Sequence, residues 1–211
     1  MGLFLKKNIT EGLILGIWEI NEAIEELMKE IRLSENEISL LKKMKFESRK
    51  QQWIASRKLI NDLLGNAQEI AYTDSGKPYL IDCPYKISLS HAGKFVAAIV
   101  NKKEETGIDI ERISSRIDRL KYKFLNEREL DSLSETFPDE HLHVLWGAKE
   151  ALYKLYGNKE LLFKTNLLID PFEYSEKGII SGTISSTAFN KSFRLQYEKT
   201  SDYMLVFVLN N

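Results

Sequence analysis

The run Gly107-Ile108-Asp109-Ile110-Glu111 places two carboxylates two residues apart in an apolar, β-branched stretch. On a strand, residues i and i+2 point to the same side. Carboxylates held together beside a core repel each other and resist burial unless a cation or hydrogen-bond donors neutralise them. Magnesium suits such a pair, because it takes one or two carboxylates and fills its shell with water and phosphate oxygens. The same alternation also fits a half-buried strand whose Ile108 and Ile110 point inward while both acids meet solvent.

Two further segments carry groups suited to phosphate. Trp146-Gly147-Ala148-Lys149-Glu150-Ala151-Leu152-Tyr153-Lys154 is built of strong helix formers. Within it Glu150 and Lys154, four apart, share a face, as an ordinary exposed ion pair also does. Ile87-Ser88-Leu89-Ser90-His91-Ala92-Gly93 breaks a strand pattern into small polar residues. There His91 either donates to an anion or caps the turn, and the residues alone favour the turn.

The elements that must position these groups follow from periodicity. A strand is predicted over Gly12–Ile20, then a helical pattern over Glu22–Arg32 with Ile24, Leu27, Met28 and Ile31 on one face. Ser34 with Glu37 is a capping-box signature opening a second helix. A longer helix runs from Glu47 to Leu64 and stops at Gly65-Asn66. After a turn at Asp74-Ser75-Gly76-Lys77-Pro78, strands are predicted at Tyr79–Ile81, Lys86–Ser90, Phe95–Val100 and Thr106–Glu111. Ile179–Ser185, Phe193–Tyr197 and Tyr203–Leu209 read as strands too.

The plan repeats. Ser34-Glu35-Asn36-Glu37 is echoed by Asn126-Glu127-Arg128-Glu129, Trp53 by Trp146, and both helices end in Gly-Asn. Leu80-Ile81-Asp82 resembles Leu168-Ile169-Asp170. The expected fold is therefore α+β, with two similar halves, 1–102 and 103–211, meeting about a pseudo-twofold axis.

Composition bounds the function. The 211 residues carry 30 Lys+Arg against 31 Asp+Glu, a formal charge of −1. No global basic field exists to hold nucleic acid or an anionic membrane. One cysteine, Cys83, and three histidines argue against an internal disulfide and a structural zinc site. The apolar run in Met1–Thr10 is too short for a leader or a membrane span, so a cytoplasmic protein is expected.

The motifs in their order resemble those of the surfactin-type 4′-phosphopantetheinyl transferases. That family shows a Gly-Lys-Pro turn, a Ser-His strand end, a Gly-(Ile/Val)-Asp-x-Glu strand and a Trp-x-x-Lys-Glu-(Ala/Ser)-x-x-Lys helix. Here they stand as Gly76-Lys77-Pro78, Ser90-His91, Gly107 to Glu111 and Trp146 to Lys154. Phe124-Leu125-Asn126-Glu127-Arg128-Glu129 looks like the family's segment opening the next helix. The likeness spans about Trp53 to Lys154. Ala92 stands where the family often has Ser or Thr.

The resemblance implies transfer of the 4′-phosphopantetheine arm of coenzyme A to a serine of an apo acyl or peptidyl carrier protein, releasing adenosine 3′,5′-bisphosphate. It implies a coenzyme A site between two similar halves, in a chain expected to act as a monomer. Asp109, Glu111 and Glu150 would hold Mg²⁺. Glu150 would serve as base, with Glu129 a weaker candidate, and Lys154 would stabilise the leaving group. Arg57, Lys77, Ser90, His91, Lys149 and Lys154 would contact coenzyme A. The stretch Arg112–Lys123, with Arg116, Arg119, Lys121 and Lys123, would receive the acidic carrier, unless it is a plain solvated helix. A catalytically idle coenzyme A-binding or regulatory protein of the same fold is the alternative.

Overall fold

The computed structural model describes residues 2–158 and 160–209. Met1, at the head of the apolar run, lies outside them, as do Lys159, Asn210 and Asn211. The chain is α+β and divides into two compact units, Met1–Glu105 and Thr106–Asn211.

The first unit contains β1 (Leu3–Thr10), β2 (Leu13–Glu19), α1 (Ile24–Lys29), α2 (Glu35–Lys43), α3 (Glu47–Leu64), β3 (Ile70–Tyr72), β4 (Pro78–Leu80), β5 (Lys86–Ala92) and β6 (Phe95–Asn101). Four strands form an antiparallel sheet in the order β1-β2-β6-β5, and β3 and β4 form a separate hairpin. Helix α3 packs across β2 and β6, burying Ile54, Leu59, Ile60 and Leu63 against Trp18, Val96, Ala98 and Val100. Gly65 ends α3 in the left-handed region, φ 77°, which a glycine adopts without steric cost.

The second unit contains β7 (Ile108–Arg112), a 3-10 turn (Ser115–Leu120), α4 (Lys121–Phe124), α5 (Glu127–Asp131), α6 (Pro138–Tyr156), α7 (Phe163–Asn166), β8 (Leu167–Ile169), β9 (Lys177–Ser185), β10 (Asn190–Thr200) and β11 (Tyr203–Leu209). Its antiparallel sheet runs β7-β11-β10-β9-β8. Helix α6 lies on β7 and β11, with Leu145, Ala148 and Leu152 in a core shared with Leu195, Val206 and Val208.

A common plan underlies both units. In each, the strand that leads into the helices pairs with the unit's last strand, which pairs with the one before it: β2-β6-β5 and β7-β11-β10. In each, a capping box opens a short helix (Ser34/Glu37, Asn126/Glu129) and the long helix crosses the same two strands.

Three strands were not expected from the sequence. The β1 strand has no apolar alternation, since most of it is exposed, and it is held by backbone pairing to β2 and by Phe4 against Phe95, centroids 5.5 Å apart. The β3 and β8 strands are three residues each, too short to show a period. One part of the repeat shifts: by its backbone bond to a buried glutamate the counterpart of Ile169 is Ile70, not Ile81.

Candidate functional site

Gly107 explains how β7 reaches α6. A Cβ there would sit 1.8 Å from the carbonyl oxygen of Ala151, so only glycine lets the strand start this close to the helix. Both faces of β7 are consequently covered: Ile108, Asp109 and Ile110 are all buried, and Glu111 is half-buried. The reading in which Asp109 simply faces solvent is overturned.

Trp146, Glu150 and Lys154 stand four apart on α6 and form one stripe above the strand. At one end the Trp146 indole N–H donates to Glu111 Oε1 at 3.4 Å. At the other, Lys154 Nζ donates to Asp109 Oδ1 at 2.7 Å and to the Ile108 carbonyl at 3.1 Å. Lys154 remains about a quarter exposed, 27%, whereas Asp109 is 4% exposed.

The electrostatics of the cluster are those of crowded acids. Burial, followed by the negative charge of Asp109, pushes the Glu111 carboxyl up to about 7, with Glu150 adding to the rise and Trp146 and Lys154 opposing it. Burial and then Asp109 raise the Glu150 carboxyl also, against Lys154. Three oxygen-bearing acids that repel in a half-desolvated place match the chemistry of a hard cation. Among the described residues no three Asp, Glu, His or Cys side chains converge closely enough to ligate an ion as they stand. Lys154 supplies the countercharge in this arrangement, so ligation calls for side-chain rotation.

Other expected site residues are engaged differently. Lys149 is fully buried and donates to Glu129 Oε2 (2.8 Å), the Phe163 carbonyl (2.9 Å) and the Leu167 carbonyl (2.6 Å). An ammonium has three N–H groups, and all three are used inside the fold, so the expected phosphate contact of Lys149 is corrected. Glu129, 1% exposed, accepts from the backbone N–H of Asn126 and Ile169, both at 2.9 Å; buried and saturated, it is no base for an incoming hydroxyl. Arg57 is corrected likewise. It is 1% exposed, donates to Glu37 Oε1 at 2.7 Å, and its guanidinium lies 3.1 Å from the centroid of the Trp53 ring.

In the first unit Lys77 follows the turn closed by Gly76 N–H donating to Thr73 O at 2.8 Å, and pairs with Glu105 at 2.5 Å. Glu105 also holds Lys86 at 3.2 Å. Ser90 is buried on β5, and His91 is exposed with its ring nitrogens against the Arg49 guanidinium. Arg49 had no signal in the sequence, being one more helix-surface arginine until the fold brings it to His91. In the sequence Trp146 belongs to the motif without a role of its own; the structure makes it the donor to Glu111.

A sheet whose first strand carries two acids beneath a helix returning a third acid and an ammonium defines an α+β protein with an acidic centre suited to a cation and a phosphate ester. Residues 105–208 match the model of the 4′-phosphopantetheinyl transferase superfamily. That segment covers nearly all of the second unit and just under half of the chain, and the activity the superfamily's name gives is phosphopantetheinyl transfer. No curated protein matches the chain.

Proposed function

We propose that this protein transfers 4′-phosphopantetheine from coenzyme A to a serine of an apo acyl or peptidyl carrier protein, with Mg²⁺ held by Asp109, Glu111 and Glu150. The observation that carries the proposal is the gathering of those three carboxylates with Lys154 on β7 and α6, inside the segment that matches the superfamily. The motif set is that of the surfactin-type members.

Bound there, the cation would draw charge from the pyrophosphate. Glu150, on the helix above the strand, takes the serine proton as the hydroxyl oxygen bonds to the β-phosphorus. The bond from that phosphorus to the α-phosphate oxygen breaks, and adenosine 3′,5′-bisphosphate leaves. Lys154, partly exposed beside Asp109, stabilises the charge on the departing group. Within the first unit, Lys77, Ser90, His91 and the adjacent Arg49 are the candidates for nucleotide phosphates.

The carrier is received by the segment from Arg112 to Lys123. Arg112, Arg116, Arg119 and Lys123 are exposed there, beside Leu120 at 43% and Tyr122 at 66% exposure. Two of the segment's cations already carry a partner, Arg112 with Asp202 and Lys121 with Asp118, both at 2.8 Å. An apolar centre in a basic rim complements an acidic helix that presents a serine. Among the described residues no helix is long and apolar enough to cross a membrane.

Intact-mass spectrometry of an apo carrier incubated with the protein, coenzyme A and Mg²⁺, with an EDTA control, tests the reading. A metal-dependent gain of one phosphopantetheine mass supports it. Coenzyme A binding without any gain across several carrier types would leave the idle binder instead.

A further inference from the structure

The glutamate at the third position of each capping box is joined to a cation 20 residues later on the long helix. In the first unit Glu37 accepts from Ser34 N–H, Arg57 Nε and Ile70 N–H, and Arg57 donates on to the Ile70 carbonyl. In the second unit Glu129 accepts from Asn126 N–H, Lys149 and Ile169 N–H, and Lys149 donates on to the Leu167 carbonyl. The two buried pairs perform the same act in both units, tying a helix start, a long helix and a short strand together. The first unit's helix carries neither Glu150 nor Lys154, so the shared device is architectural.

In the second unit the device reaches the acidic cluster. Lys149 precedes Glu150, and neighbouring residues on a helix point about 100° apart; anchoring Lys149 on the buried side therefore fixes the rotation that turns Glu150 toward β7. Lys149 also holds the Phe163 carbonyl. The Phe163 ring stacks on Trp146, centroids 5.3 Å apart at 28°, and Trp146 donates to Glu111. A continuous line of contacts thus runs from Glu129 through Lys149, Phe163 and Trp146 to Glu111.

We propose that Glu129 and Lys149 are a positioning pair, which sets the rotation of α6 and the aromatic bracket on Glu111 and touches neither coenzyme A nor the carrier. The proposal rests on the transferase reading for its kinetic consequence, but not for its structural one. Protein labelled with 5-fluorotryptophan gives three fluorine resonances, and Trp146→Phe identifies the one from Trp146. In Lys149→Met that resonance shifts or broadens while those of Trp18 and Trp53 stay in place. Turnover falls at least tenfold, with KM for coenzyme A within about threefold of wild type. Lys149→Arg recovers part of the turnover, and Glu129→Gln/Lys149→Met, which leaves no lone buried charge, melts higher than Lys149→Met.

An unmoved Trp146 resonance, with coenzyme A affinity down tenfold or more, would overturn the proposal and make Lys149 a phosphate contact. Loss of turnover in Glu129→Gln with an unchanged Trp146 resonance would overturn it in favour of Glu129 as base. If Lys149→Met does not fold, the resonance and turnover of Lys149→Arg decide. A wild-type protein inactive on every carrier sinks the transferase reading alone, because the fluorine resonances and the melting order still test the pair.

Discussion

Lys154 donates to Asp109 Oδ1 at 2.7 Å, and this one bond joins the helix that carries Glu150 to the strand that carries Glu111. It neutralises an acid buried to 4% exposure while leaving the ammonium in reach of solvent. The same group therefore serves the fold and, in the proposed reaction, would also meet a phosphate.

That double role separates two substitutions. Glu150→Ala removes a half-buried acid that is destabilised where it sits, so it is expected to abolish transfer while thermal stability holds or rises slightly. Lys154→Met leaves Asp109 buried beside a methyl group, and loses transfer together with roughly 1–3 kcal/mol of stability. Activity by intact mass and melting by circular dichroism on both variants check the contrast. Equal melting losses would mean that Lys154 does not neutralise Asp109.

Gly107→Ala tests the approach of strand to helix without touching any charged group. Its new methyl carbon would meet backbone, the Ala151 carbonyl at 1.8 Å, which has no rotamer to escape into. The expected cost is about 1–3 kcal/mol from overpacking, with transfer reduced because β7 must retreat from α6. Urea denaturation measures the first effect and carrier modification the second; an unchanged denaturation midpoint would show that the strand can shift freely.

The acidic centre was legible because its residues are local: Asp109 with Glu111 on one strand, Glu150 with Lys154 on one helix. So were α3 and β11, whose expected and observed limits coincide, because caps and apolar runs are local as well. Glu129, Lys149 and Arg57 are illegible in the sequence for the opposite reason. A charged side chain is by default at the surface, and only long-range pairing across 20 residues takes these inside. Arg49 beside His91, 42 residues away, is hidden in sequence for the same cause.

Arg57→Met in the first unit should unfold more than it disarms. It leaves Glu37, 2% exposed, as an uncompensated buried charge, a loss of about 3–5 kcal/mol. Coenzyme A affinity of the protein that remains folded is expected to stay within about twofold, as read by calorimetry below the melting temperature. A tenfold loss of affinity with normal melting would instead restore Arg57 as a coenzyme contact.

Acid should weaken the second unit through His141. Its ring is 1% exposed, accepts from Ser134 N–H through Nδ1 at 3.0 Å, and packs on Phe172, centroids 4.4 Å apart. Burial lowers its pKa from 6.5 to about 4, so the folded state resists a proton that the unfolded chain accepts. The stabilisation is whole above pH 6.5, declines as the pH falls toward 4, and changes no further below that. Each unit of pH in this window removes about 1.4 kcal/mol. Protonation at Nδ1 would also set a donor against the Ser134 N–H. In His141→Gln no such titration exists, and common acid effects cancel in the difference between the two proteins. Urea denaturation at pH 7 and pH 4.5 should therefore show the wild type losing roughly 2.5 kcal/mol more than the variant. Parallel losses would mean that the ring takes its proton at the same pH folded and unfolded, and therefore that burial does not lower its pKa.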